Sequence, residues 1–228
     1  MATEAPLAMR RREEREARRT ALLKAGIKEL RAKGFDRMTL ASVAHRARLS
    51  KSLIYFYFRD KEDLVVAIAN TAKERLLACF REAVATEERG CEQLKAIGRA
   101  YIEFPKNHPE FWEVLAETEL FDVQRDKMTP NTEAALELGA ALIQEVAAPI
   151  HRGQADGSLM PTEESPEQIG ILLWSYLYGF NRLVKAKGDL IEKASGIRIG
   201  EMVDSALTHC CGALMPREGD PGYRQPEG

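Results

Sequence analysis

Few of the residues that would mark an enzyme, a metalloprotein or a membrane protein are present in this chain. Only four cysteines occur in 228 residues, Cys79, Cys91, Cys210 and Cys211, and none stand in C-x-x-C spacing. No disulfide framework or zinc knuckle is indicated, and a reducing cytoplasm is the expected setting. The histidines, His45, His108, His151 and His209, are scattered. His209, Cys210 and Cys211 are consecutive, but on one helix they diverge, so they make no ligand set and no metal is expected. No hydrophobic run reaches the ~20 residues of a membrane span. The stretch that comes nearest, Ile169 to Phe180, contains Gly170, Ser175 and Gly179. There is no phosphate-binding loop and no spacing of nucleophile and base, so neither enzyme chemistry nor a cofactor is expected. Repeats and low-complexity segments are also missing.

Net charge is small, −2 overall, which taken alone argues against a nucleic-acid partner. The average hides an asymmetry. Met1 to Asp63 carries 16 Lys and Arg against nine Asp and Glu, a balance of +7, and the remainder is −9. A basic unit can meet phosphates while an acidic one faces away, and affinity for DNA is then expected to fall steeply with salt.

The chain is organised around Thr39 to Leu64. Leu40, Val43, Ala44 and Ala47 share one helical face behind the capping residue Thr39. Arg48 and Leu49 form a break, Ser50 can cap a second short helix over Lys51 to Tyr57, and Ile54 and Phe58 lie four apart on its inward side. Asp60 and Asp63 are placed as N-cap and N3 acid of a long helix that starts at Lys61. The series Ser50, Ile54, Tyr55, Tyr57, Phe58, Lys61 and Leu64, behind Thr39, resembles the helix-turn-helix of the TetR family of bacterial transcription regulators. Two departures stand out: Arg48 where the family usually has Gly in the turn, and Ser52 followed by the bulkier Leu53. The resemblance implies that Ser50 and Tyr55 approach phosphate or base edges, Lys51 and Ser52 read bases, and Thr39, Tyr57 and Lys61 hold phosphates. The partner is then double-stranded DNA, and Arg48 would adopt a left-handed conformation.

The expected fold is all-α: an N-terminal three-helix helix-turn-helix domain followed by an α-helical ligand-binding and dimerisation domain. Residues 1–12 read as a disordered basic arm, 13–60 as the DNA-binding domain, 61–215 as the effector-binding and dimerisation domain, and 216–228 as a disordered tail. Gly34 ends the first helix, with Phe35 and Leu30 in a Schellman cap. Capping and proline signals then place helices near 61–86, 91–106, 109–123, 130–152, 166–187 and 199–214.

Residues 169–184 are apolar on nearly every side of one helix, which points to a second subunit beyond the chain's own core. Leu173, Leu177, Phe180, Val203, Leu207, Cys210 and Leu214 are the expected homodimer interface, and a four-helix arrangement is what the resemblance implies. Phe104, Phe111, Trp112, Leu115, Glu119, Leu142, Trp174 and Asn181 are the candidate lining of a small-molecule effector pocket, although aromatics at helical spacing also read as ordinary core. The expected function is a repressor that binds a pseudo-palindromic operator and is released by the effector. The alternatives are a thiol-based redox regulator and a helical enzyme.

Overall fold

The computed structural model describes residues 4–118 and 128–216, with side chains from Ala8 onward except Glu117. Among these residues there are nine α-helices and no strand. They are α1 (Glu4–Arg37), α2 (Leu40–Arg46), α3 (Lys51–Tyr57), α4 (Lys61–Val84), α5 (Gly90–Asn107), α6 (Pro109–Thr118), α7 (Pro130–Asp156), α8 (Pro166–Ser195) and α9 (Ile199–Gly212). The chain separates into two compact units, Met1–Lys73 with His108–Leu138, and Glu74–Asn107 with Gly139–Gly228. The division therefore falls inside α4 and α7 rather than at residue 60. Both helices are single runs that contribute to each unit.

In the first unit α1 begins at Glu4, within the segment expected as a disordered arm. Glu14 accepts from Arg10 at 3.3 Å and Arg18 at 3.7 Å, both at i,i+4 spacing, and such pairs support a helix that little else covers. Gly34 has φ 70, ψ 171, a conformation open essentially to glycine alone, and a further turn follows it to Arg37. The expected Schellman cap is replaced by a bend, with Met38 N–H donating to the carbonyls of Gly34 and Phe35.

The turn between α2 and α3 does form a Schellman motif. Leu49 N–H reaches Ala44 O at 2.9 Å and Arg48 N–H reaches His45 O at 3.0 Å, with Arg48 left-handed at φ 57. Leu22, Met38, Val43, Ile54, Phe58, Leu64 and Ile68 fill the core of this unit.

Two buried carboxylates fasten it. Glu29, 3% exposed, pairs with Lys33 at 2.7 Å and with Arg46 of α2 at 2.6 Å. Its hydrogen bond from Lys33, with that from Arg46, outweighs desolvation and brings its pKa down to about 2. Asp63, 5% exposed, accepts from Arg59 N–H (3.0 Å), the Thr129 hydroxyl (2.7 Å) and the Asn131 amide (2.9 Å). Asp60 caps α4 through Asp63 N–H at 2.8 Å. The box expected between these two acids closes one residue earlier, on Arg59.

In the second unit α5 begins against α7 so closely that a Cβ on Gly90 would lie 2.1 Å from Gly153 N. The first N–H groups of α5 are capped from 66 residues along the chain: Asp156 accepts from Gly90 at 2.8 Å, and Ser158 Oγ accepts from Cys91 at 3.0 Å. Cys91, Leu94, Ile150, Leu159, Ile169 and Cys211 form the core. The capping box of α8 is present, Gln168 N–H to Ser165 and Ser165 N–H to Gln168. α8 runs through Lys187, Gly188 and Asp189, where a loop was expected, and stops at Gly196, which takes the left-handed conformation with φ 73. Gly188 needs no such conformation, so the helix continues.

Two glycine-rule substitutions should act oppositely. Gly34→Ala is expected to destabilise the chain by about 1–3 kcal/mol, and Arg48→Gly to stabilise it by about 1 kcal/mol, both read by thermal unfolding. Because the folded pKa of Glu29 is depressed, its contribution is full above about 4.5 and is lost as pH falls through about 2. The shift corresponds to at most about 3 kcal/mol, less after screening at its half-exposed partners. Glu29→Gln should therefore lower stability at neutral pH and flatten its decline across that acid window.

Candidate nucleic-acid interface

The second helix of the helix-turn-helix is held by its inward residues and presents the others. Ile54 and Phe58 are 0% and 1% exposed. Lys51 and Ser52 are exposed at its N-terminal end, and Tyr55 is 53% exposed. Ser50 caps α3 by accepting from Leu53 N–H at 3.3 Å, and its hydroxyl lies 3.1 Å from that of Ser52. Thr39 closes a capping box with Ser42 at the start of α2. Both capping side chains thus hold the motif's geometry, whatever else they touch.

Tyr57 and Lys61 are anchored within the chain. Tyr57 donates its hydroxyl to Arg15 O at 3.2 Å. Lys61 Nζ donates to Phe35 O at 3.2 Å and stands 4.0 Å from the centre of the Phe35 ring, which fastens the end of α1. Of the seven expected DNA-contacting residues, Lys51, Ser52 and Tyr55 form the outward face, and the other four brace it.

A residue that no expectation covers, Phe56, joins this face. Phe56 is 66% exposed on α3, and the Arg15 guanidinium sits 5.2 Å from its ring centre. Together with the Tyr57 contact, this lays the arginine-bearing start of α1 beside α3. A surplus aromatic was visible, since Ile54 and Phe58 already fill the inward side, but nothing local ties Arg15 to a ring 41 positions away.

The expected effector residues are divided. Phe111, Trp112 (2% exposed) and Leu115 (8%) belong to the first unit. Phe104 (1%), Leu142, Trp174 and Asn181 belong to the second, and Glu119 lies outside the described residues. Asn181 is buried and donates to Tyr101 O at 3.1 Å, and Trp174 Nε1 donates to the Tyr101 hydroxyl at 3.1 Å.

The expected dimer residues mostly face the chain's own core. Leu177 and Leu207 are 6% and 5% exposed, and Leu173, Cys210 and Leu214 pack on the cluster around Ile150. Phe180 and Val203 are half-buried. The solvent side of α8 carries other residues: Leu172 (64%), Tyr176 (49%), Leu183 (46%) and Leu190 (62%).

Burial pushes all four thiols up, Cys210 to about 11 and Cys211 to about 12. The shift disfavours the thiolate, the form through which a redox switch reacts. Among the described residues no group of His, Cys, Asp and Glu is placed to hold a metal ion, and no helix is long and apolar enough to cross a membrane.

Residues 22–68 match the family described as bacterial regulatory proteins, tetR family, and residues 94–194 match the tetracyclin repressor-like C-terminal domain. The transcriptional regulator BetI of Burkholderia cenocepacia is 33% identical over 84 residues, 36% of this chain and 43% of BetI. The transcriptional repressor NicS of Pseudomonas putida is 26% identical over 147 residues, 61% of this chain and 64% of NicS. The chain thus spans about half the length of the BetI relatives it matches and somewhat more of NicS. A putative TetR-family transcriptional regulator from Rhodococcus sp. superposes with a TM-score of 0.68 at 21% identity, covering 88% of this chain and 100% of that one. The family is one of regulators, not of enzymes. The two matches follow one another in order, the first on the helix-turn-helix and the second on helices after it, and the chain belongs to the TetR family of bacterial transcriptional regulators.

Proposed function

We propose that this protein is a cytoplasmic repressor that binds a pseudo-palindromic operator as a homodimer and releases it when a small molecule occupies the helices from α4 onward. The observation that carries the DNA-binding reading is the outward face of α3, where Lys51, Ser52 and Tyr55 stand exposed over buried Ile54 and Phe58. A cation and short polar groups at the start of such a helix suit base edges in a major groove. Arg15, held beside α3 by Phe56 and Tyr57, adds a phosphate contact that fixes the register of the helix on the duplex. Repression, rather than activation, is favoured by the repressor NicS among the relatives.

Dimerisation rests on the exposed stripe of α8. Leu172, Tyr176, Leu183 and Leu190, with Gly179 and Ala186 between them, follow the alternating three and four spacing of a helix seam. Four large apolar side chains turned to water are the signature of a surface that is covered in the working assembly. A two-fold dimer sets two α3 helices one turn of DNA apart. Effector release then requires that the effector bind the DNA complex more weakly than the free protein, by the same factor by which it weakens operator binding.

Substitutions separate these roles. Lys51→Ala is expected to alter sequence preference in a binding-site selection without changing thermal stability. Lys61→Ala should weaken every sequence alike and also lower Tm, since it unfastens the end of α1. Arg15→Ala should reduce the slope of log affinity against log salt by about 0.9 while keeping sequence preference. Unchanged preference in Lys51→Ala would remove it from base reading. In sedimentation, Leu172→Glu combined with Leu183→Glu should give a folded monomer that has lost tight operator binding, and a persistent dimer would place the interface elsewhere.

A further inference from the structure

Asn70 and Lys73 are three residues apart on α4 and so share one face. Both reach the same strip of α7 backbone. Asn70 Nδ2 donates to Asn131 O at 2.8 Å, and Lys73 Nζ donates to Ala135 O at 3.5 Å. Because Asn131 O can only accept, the nitrogen of the Asn70 amide must face it, and the orientation of Oδ1 is fixed. That oxygen is buried and accepts nothing, in a residue 5% exposed. Lys73 lies in a run of α4 whose Ala69, Ala72, Leu76 and Leu77 are all buried, and among the described residues its ammonium pairs with no carboxylate. Burial accordingly holds its pKa below the ordinary lysine value. An orphaned buried acceptor costs stability, and Lys73, half-buried and bonded to a carbonyl, still lacks an anion. Side by side on one helix face, they are complementary to one kind of molecule.

We propose that Asn70 and Lys73 bind the polar end of a small organic carboxylate that also carries a hydroxyl or N–H donor, with the carboxylate on Lys73 Nζ and the donor on Asn70 Oδ1. One cation answers one negative charge, which favours a monocarboxylate over a phosphate dianion or a diacid. This deepens the proposed function, because such a molecule would be the effector, and it rests on that reading only for the consequence on DNA. Neither residue belongs to the helix-turn-helix face, and both stand on α4, which begins at the exit of α3.

The test uses the full chain with 4-hydroxybenzoate and L-lactate as probes, and with benzoate and 4-hydroxybenzamide as controls that lack the donor and the charge. At least one hydroxy acid should raise Tm by roughly 5 °C at a hundred-fold excess over its Kd. 4-Hydroxybenzamide should give no shift. Lys73→Met should abolish the response, with a ligand-free Tm equal to or above that of the native chain, since an uncompensated charge is replaced by an apolar chain of similar length. Asn70→Leu should weaken the hydroxy acid about ten-fold and leave the weaker binding of benzoate unchanged. No stabilisation by either acid at millimolar concentration, an equal response to the amide, or a response retained in Lys73→Met would overturn the proposal. So would a fall in ligand-free Tm in Lys73→Met, which marks a structural lysine. Operator binding by the ligand-free protein is measured alongside: its absence would count against the regulator reading, while the binding of carboxylates is judged on Tm alone.

Discussion

The carboxylate of Asp63 is the acceptor on which the first unit depends. It is buried three residues into α4 and collects one donor from the end of the turn after α3, one from the cap of α7 and one from the first turn of α7. A buried charge of this kind must be satisfied, because the cost of leaving it unpaired exceeds that of ordering the segments around it. Asn131 passes the link on: its Oδ1 accepts from Arg19 of α1 at 3.1 Å, and its carbonyl accepts from Asn70 of α4. One oxygen-rich junction thereby positions α1, the exit of α3 and the starts of α4 and α7. Glu29 does the same between α1 and α2. Recognition helix α3 thus sits on a frame held by two buried acids, and its own outward side chains are left to meet solvent or DNA.

What could be read from the amino acids alone follows how local each signal is. Caps at Thr39, Ser50, Asp60 and Ser165 are bonds within three or four residues, and each forms. The left-handed Arg48 is legible only through the resemblance, which places a Gly at that point of the turn. Signals that depend on distant partners were not legible. Nothing near Asp156 and Ser158 indicates that they cap a helix 66 residues earlier, and nothing near Asp63 names Thr129. The start of α1 was read as an arm from its charge, while its i,i+4 Arg and Glu pairs favour helix. The helix expected near 166–187 runs on through Gly188, and the left-handed residue that ends α8 is Gly196.

The packing of α8 is a further instance. A helix that is apolar on nearly all sides gives no internal sign of which side meets its own chain. That choice is made by α5 and α9: Gly98 lets Leu177 and Leu207 approach its backbone, which buries them and turns Leu172 and Tyr176 outward. The residues expected to line an effector pocket are distributed over two units, which no periodicity could reveal.

The central claim is that α3 reads DNA as one of a symmetric pair, with Lys51 at a base edge. Selection of binding sites from random duplex DNA by the purified protein tests it most directly, without knowledge of the operator. The account predicts that the recovered sequences share a pseudo-palindrome whose half-site centres lie about one helical turn apart, and that Lys51→Ala changes the bases preferred within each half. Recovery of no shared sequence, or of a single undivided half-site, would contradict it.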